Sequence, residues 1–419
     1  MEKIVIEGGV ALKGSVEISG SKNSSLPILA ATALFGGEYK INNVPRISDV
    51  ETMLKLLETL GAEVFFEKNS ISIDTKKISK HEAPYDLVKT MRASVLVWGS
   101  LLGRLGRARV SFPGGCAIGD RPIDQHIKGF DALGYKTNIG GGYLESVSTK
   151  RTGGNYKFTV KTVTGTENLI LSSVLAKNKT TLYNCAVEPE VEDLINFLSS
   201  LGATINQKGG TIEISPVTSL DPQSEPYSVI PDRIEAGTFL ALGSVVGNEI
   251  EISNCEPRHL DEARKAIESV GSKVEKQGLS VLKVSSPPTV SPTNIETNPH
   301  PLFPTDLQAQ LMSVLVLANG VSKITENIFP NRFIHVAELR KLGAEISLKG
   351  NVATVCGVKG LIGATMQASD LRASASLLIG ALSAKGKSEV RRIYHLDRGY
   401  ESIDNKLQGL GARIWREKE

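Results

Sequence analysis

Three kinds of residue in this chain are placed to do chemistry. The first are basic residues at the openings of apolar helices: Lys22 in SGSKNS, Arg92 in KTMRAS and Arg372 in SDLRAS. Helix N-termini carry free N–H groups and the positive end of the dipole, so acidic residues are the ordinary occupants. A basic side chain there is either a solvated surface group or part of an electropositive site for anions. The second is Cys116, in Pro113-Gly114-Gly115-Cys116-Ala117-Ile118-Gly119-Asp120-Arg121-Pro122. Glycines permit close backbone approach to a ligand, and a nearby guanidinium lowers a thiol pKa. The segment lacks the GK[ST] of a phosphate loop and the GxGxxG of a dinucleotide site. The third is Asp306, in Phe303-Pro304-Thr305-Asp306 ahead of an apolar helix. Capping that helix is its ordinary role, and taking a proton from a hydroxyl is the chemical one.

These residues must be positioned by a repeat. A phrase of amphipathic helix, glycine, then strand recurs as LETLGAEV, FDALGYKT, FLSSLGATI, AIESVGSKV, LRKLGAEI and LQGLGARI. Its glycines are Gly61, Gly134, Gly202, Gly271, Gly343 and Gly411, spaced by 73, 68, 69, 72 and 68 residues. Glycine suits the left-handed position just past a helix end. Each phrase is preceded by a strand and by an apolar helix rich in small residues, and is followed by a strand, a turn and a strand. The sixth unit stops after ARIWREKE, and the strands it lacks are found in KIVIEGG and LKGSVEIS at the other end. The expected organisation is therefore two domains of three units, 22–229 and 1–21 with 230–419. The chain crosses between them at Gly20-Ser21 and near Tyr227 to Pro231. One elongated solenoid is the alternative, and the terminal units lack its polar caps.

Composition narrows the function classes. The chain of 419 residues has 48 Lys+Arg against 45 Asp+Glu, a net charge of +3, which does not fit a general nucleic-acid binder. No apolar stretch approaches a membrane span, and the opening Met-Glu-Lys-Ile-Val-Ile does not resemble a secretory leader, so a cytoplasmic protein is expected. Cys116, Cys185, Cys255 and Cys356 form no CxxC pair, and there is no HExxH, so neither disulfides nor a metal site are expected. Cys185 and Cys255 end apolar strands and read as inert core residues.

The phrases SGSKNSSLPIL, MRAS, PGGCAIGDRPID, PDRIEAGTF, FPTDLQAQ, NRFIHVAEL, SDLRAS and HLDRGYE, in this order along the whole chain, resemble the enolpyruvyl transferases. The resemblance implies a two-domain inside-out α/β barrel of six βαβαββ repeats, with the active site in the interdomain cleft. It is closest to the members that move the enolpyruvyl group of phosphoenolpyruvate to the 3′-hydroxyl of UDP-N-acetylglucosamine, releasing phosphate, at the first committed step of peptidoglycan synthesis. It implies addition and elimination through a tetrahedral intermediate, no cofactor, the two substrates as the only partners, and a monomer. Carried over by motif, Lys22 and Asn23 meet phosphoenolpyruvate, and Arg92 lies in the substrate cleft. Cys116 donates a proton to the methylene carbon and is the thiol that fosfomycin alkylates. Arg121, Pro122, Ile123, Asp124, Gln125, Lys161, Thr162, Val163, Thr164 and Ile328 contact the UDP sugar, as does Asp306, the base on its 3′-hydroxyl. Arg121, Arg372 and Arg398 hold phosphate and carboxylate groups, with Arg332 beside them. Val187 replaces a residue that is often basic in the family. Two alternatives stay open: a transferase acting on shikimate 3-phosphate, and a silent nucleotide-sugar binding paralogue.

Overall fold

The computed structural model describes residues 2–88, 91–112, 123–222 and 225–419. Among these residues the chain divides into two compact units, one of 20–230 and one of 2–19 with 231–419. Each unit has its own apolar core and holds three four-stranded sheets.

All six sheets follow one plan: a short lead strand pairs parallel with the first long strand, and the remaining pairings are antiparallel. In the unit of 20–230 the sheets run Tyr227–Ser228, Glu38–Asn42, Ser70–Asp74, Glu63–Glu67; Glu82–Ala83, Arg107–Ser111, Tyr143–Ser148, Tyr135–Gly140; and Asn155–Lys157, Thr180–Tyr183, Thr211–Ser215, Thr204–Lys208. The last strand of this unit thus pairs with its first, which closes the set and excludes an open solenoid. In the other unit Leu12–Glu17 leads Gly247–Ser253, and Ile295–Thr297 leads Val321–Glu326. Glu2–Gly8 lies between Gly386–Arg391 and Arg413–Lys418, supplying the strand that the sixth unit lacks. The inward faces alternate with solvent positions, as with Ile71 and Ile73 between exposed or half-buried neighbours on Ser70–Asp74.

The helices are of two kinds. Those that end at the repeat glycines are amphipathic: Ser48–Leu60 buries one face only. The others are apolar all round and buried. All residues of Lys22–Thr32 except Asn23 are buried, as are all of Gln308–Leu315. In the unit of 20–230 these central helices approach closely through small residues. A Cβ on Gly99 would lie 2.4 Å from the Asn168 carbonyl oxygen, and the Gly99 amide donates to Asn168 Oδ1 at 2.7 Å. Each unit is therefore a ring of sheets around three buried helices, the inside-out arrangement of an α/β barrel, and the helix starts carry the basic residues singled out above.

The six repeat glycines all have positive φ, between 87° at Gly134 and 117° at Gly61. Conformation alone demands glycine at Gly343, where an added Cβ meets nothing within 4 Å. At Gly61 it would also lie 2.8 Å from the Lys77 carbonyl oxygen. We predict that Gly343→Ala lowers stability by about 1–2 kcal/mol and that Gly61→Ala costs more. Thermal unfolding of the two variants tests the order; equal midpoints would show that the Lys77 approach relaxes.

Candidate active site

In the unit of 20–230 the helix Lys22–Thr32 is capped by Ser21, whose Oγ accepts from the Ser24 amide at 3.3 Å. The Lys22 ammonium is not solvated. It turns back to Asp49 Oδ2 at 2.6 Å, and both side chains are buried. Asp49 lies in the first turn of Ser48–Leu60, where the dipole favours it. Asn23 is half-buried. One residue on, Ser24 Oγ donates to Asp193, which also accepts from the Tyr227 hydroxyl at 2.6 Å and the Ile230 amide at 3.3 Å. This acid ties the start of the Lys22 helix to the closing segment of the unit. Burial pushes its pKa up, against the pull of its hydrogen bonds from Ser24 and Tyr227.

Arg92 opens the short 3-10 helix Arg92–Val95 and is half-buried. Burial first, and the charge of Arg92 second, push the imidazole of His126 down to about 4. That ring stacks on Trp98 at 6.3 Å between centroids. Ile123 is buried, and Asp124 pairs with Lys128 at 3.0 Å. Gln125 is also buried: its amide donates to Thr159 Oγ1 at 2.8 Å, and its carbonyl accepts from the Thr159 amide at 3.0 Å and the Tyr156 hydroxyl at 3.1 Å. Lys161 is exposed, Thr162 caps the helix Val163–Ser173, and Val163 and Thr164 are half-buried. Cys116, Arg121 and Pro122 lie outside the described residues.

The other unit gathers its charges around Asp306. Its carboxylate does not cap the following helix but pairs with two arginines. Oδ2 accepts from Arg372 Nε at 3.1 Å and Nη2 at 2.9 Å, and Oδ1 meets Arg332 Nη2 at 2.8 Å. Both arginines are buried, whereas the Asp306 side chain keeps 26% of its surface exposed. Burial alone would raise the carboxyl's pKa, but the two guanidiniums outweigh it and hold the group far below the usual carboxylate range. Asp370 caps the helix Leu371–Ser383 through the amides of Arg372 and Ala373, at 2.9 and 3.0 Å, and so fixes the backbone from which Arg372 reaches Asp306. Arg372 Nη1 also points to the Tyr400 hydroxyl at 3.5 Å, which exchanges a hydrogen bond with Thr238 Oγ1 at 2.8 Å. Arg398 ends the 3-10 helix Ile393–Arg398 and is half-buried. Burial, then Arg392 and Arg398, depress the pKa of His395. Ile328 is half-buried, with its amide on Glu326 at 2.8 Å.

The structure thus brings Asp306, Arg332 and Arg372 into direct contact and places Lys22, Arg92, Gln125 and Thr162 at helix starts of the other unit. Sequence reasoning missed Asp49, Asp193 and Glu326, the acids that hold site groups in place. Their only signal was a carboxylate at a position that the fold buries. Among the described residues no group of three or more His, Cys, Asp or Glu is placed to hold a metal ion. Within the unit of 2–19 and 231–419, two anchored guanidiniums and a carboxylate can bind anionic groups and accept a proton from a hydroxyl.

Comparison with known proteins agrees in outline. The family model described as EPSP synthase (3-phosphoshikimate 1-carboxyvinyltransferase) matches residues 6–407. The chain is 49% identical to the UDP-N-acetylglucosamine 1-carboxyvinyltransferase of Myxococcus xanthus and 50% identical to that of Desulfovibrio desulfuricans, covering 100% of all the chains compared. It is 51% identical to that of Anaeromyxobacter dehalogenans over 99% of both chains. The enolpyruvyl transferase NikO from Streptomyces tendae superposes with a TM-score of 0.88 at 24% identity, covering 100% of this chain and 99% of that one. EPSP synthase from Acinetobacter baumannii gives 0.77 at 13% identity with full coverage of both chains.

One buried acid gives a test of the site's electrostatics. Glu167, in the helix Val163–Ser173, has its pKa pushed well up, by burial first and then by Glu190 and Glu188. A carboxyl with a raised folded-state pKa holds its proton longer in the folded protein, so its contribution to stability falls as pH rises above its unfolded value of about 4.3. We predict that Glu167→Gln, which removes that penalty, gains stability relative to the parent as pH rises from 4 to 8. Urea denaturation across that range checks it; a stability difference independent of pH would contradict it.

Proposed function

The chain belongs to the EPSP synthase family, and from that premise we propose that it is a UDP-N-acetylglucosamine 1-carboxyvinyltransferase. It transfers the enolpyruvyl group of phosphoenolpyruvate to the 3′-hydroxyl of UDP-N-acetylglucosamine and releases phosphate, the first committed step of peptidoglycan synthesis. The full-length likeness to relatives of that name carries this reading. We place the enzyme in the cytoplasm, as a monomer; among the described residues no helix is long and apolar enough to cross a membrane.

In the proposed reaction the sugar 3′-oxygen attacks C2 of phosphoenolpyruvate while the double-bond electrons take a proton at C3. Cys116 supplies that proton and Asp306 takes the hydroxyl proton. C2 becomes tetrahedral, bearing phosphate, carboxylate, methyl and sugar oxygen. The Cys116 thiolate then takes a C3 proton, the double bond re-forms, and the C2–O bond to phosphate breaks as the leaving phosphate takes the proton held by Asp306. Both substrates are polyanions, so Lys22, Asn23, Arg92, Arg121, Arg332, Arg372 and Arg398 serve to hold them together. Pro122, Ile123, Asp124, Gln125, Lys161, Thr162, Val163, Thr164 and Ile328 hold the UDP sugar. The Asp306 geometry supports a base that is switched by its partners. Between two guanidiniums it is fully ionised but weakly basic. When an anionic substrate draws Arg372 away, the carboxylate regains proton affinity next to the hydroxyl it must deprotonate.

Phosphate release from phosphoenolpyruvate decides the reading. We expect it with UDP-N-acetylglucosamine and not with shikimate 3-phosphate; the reverse would assign the sister reaction, and binding without release would assign a silent paralogue. Asp306→Asn is expected to lower kcat by about 10²–10⁴. Cys116→Ser should impair turnover and abolish covalent labelling by fosfomycin. Cys185 and Cys255 are buried with thiols pushed up to about 12 and about 11, chiefly by that burial. Peptide mass spectrometry that finds the label on Cys185, Cys255 or Cys356 would refute the assignment.

A further inference from the structure

Glu326 ends the strand Val321–Glu326 and is 1% exposed. A buried carboxyl group must place its lone pairs, and this one divides them between two tasks. Oε1 accepts from the amides of Ile328 at 2.8 Å and Phe329 at 2.9 Å. Oε2 accepts from the Thr305 hydroxyl at 2.9 Å. Thr305 Oγ1 in turn accepts from Arg332 Nη1 at 2.9 Å, and Arg332 Nη2 meets Asp306 Oδ1 at 2.8 Å. The chain of contacts Glu326, Thr305, Arg332, Asp306 is therefore continuous. It has a direction, because a hydroxyl has one hydrogen. Once that hydrogen is given to Glu326, only lone pairs face the guanidinium.

The same acid reaches Arg332 by a second route, since the Phe329 ring whose amide it holds lies 5.4 Å from the Arg332 guanidinium. Glu326 is itself anchored: its amide donates to the Asn351 carbonyl at 2.8 Å, and its carbonyl accepts from Asn351 Nδ2 at 3.2 Å. The neighbouring Asn327 amide is held by Thr297 Oγ1 at 3.0 Å. Three successive amides, 327 to 329, are thus all committed to side chains.

We propose that Glu326 is a positioning residue for the reaction. Through the Thr305 hydroxyl it sets the Arg332 guanidinium that meets Asp306, and through two backbone amides it sets the Ile328 segment against the UDP sugar. The proposal rests on the function assigned above. It links the base and part of the sugar-nucleotide site through one buried side chain.

The two arms separate by mutation. Thr305→Val removes the relay hydroxyl at nearly constant volume and leaves the amide clamp intact, whereas Thr305→Ser keeps the hydroxyl. Thr305→Val should lower kcat/KM by about tenfold to a hundredfold, the value of one hydrogen bond to a charged group, and Thr305→Ser should stay near the parent. With Arg332 loosened, less positive charge faces Asp306, so the acidic limb of the kcat profile should move to higher pH in Thr305→Val. Glu326→Gln must set an NH2 against either the amides or the hydroxyl, so it should show both that shift and a raised KM for UDP-N-acetylglucosamine. In the ligand-free protein, 15N-edited spectra of the arginine side chains should show the Arg332 signal moved or broadened in Thr305→Val and not in Thr305→Ser. Parental kinetics and pH profile in Thr305→Val would overturn the proposal, as would an equal loss in Thr305→Ser. If the parent enzyme itself released no phosphate, the assigned function would fall instead; the arginine spectra would still decide the relay, an unchanged Arg332 signal in Thr305→Val overturning it.

Discussion

One carboxylate between two guanidiniums organises this molecule's chemistry. Arg332 and Arg372 are buried cations that need a counter-charge, and Asp306 supplies it to both. The same contact does three things. It makes two buried arginines tolerable in the resting protein. It holds the carboxyl's pKa far below the usual carboxylate range. In the proposed reaction it also supplies guanidinium groups to an anionic substrate. A carboxylate that merely capped its helix would do none of these.

The fold places such groups by repetition. Three buried helices in each unit start from loops of one kind, and apolar packing on every side of those helices fixes where the starts fall. Positive side chains at helix starts are locally unfavourable, and two of them are held by an acid from a neighbouring element: Lys22 by Asp49 of the next helix, and Arg372 by Asp306 of another repeat. The cost of a cation at the positive end of a dipole is offset by an ion pair that packing aligns. Six copies of one supersecondary unit thus acquire different chemistry through single charged substitutions at equivalent positions.

Much of this was legible in the residues. The glycines from Gly61 to Gly411 marked the repeat because only a left-handed backbone needs them, and all six have that conformation. The unpaired end of the sixth unit pointed to both N-terminal strands; Glu2–Gly8 fills that place, whereas Leu12–Glu17 instead leads Gly247–Ser253 of the fourth unit. The lead strands were harder to see. Glu82–Ala83 and Tyr227–Ser228 have two residues each, too few for any periodicity. Ile295–Thr297 has three residues in a proline-rich stretch, again too few for periodicity, yet Thr297 holds the Asn327 amide. Asp306 can be read as cap or base, and its pairing with Arg332 of its own repeat and Arg372 of the next is not visible in the local sequence. Glu326 and Asp193 carried no signal beyond residue type because burial of an acid is a tertiary fact, and the Asp193 partners Ser24 and Tyr227 lie far from it in sequence.

The account stands on the ionisation of Asp306. Direct titration of that carboxyl, by 13C spectroscopy of aspartate-labelled protein with Asp306→Asn to assign the signal, tests it without reference to turnover. The paired arginines require the Asp306 signal to stay that of the carboxylate as pH is lowered through the usual range near 3.9, and to begin titrating in that range only when Arg332 or Arg372 is replaced. An Asp306 carboxyl that takes up its proton near pH 4 in the intact protein would contradict the account.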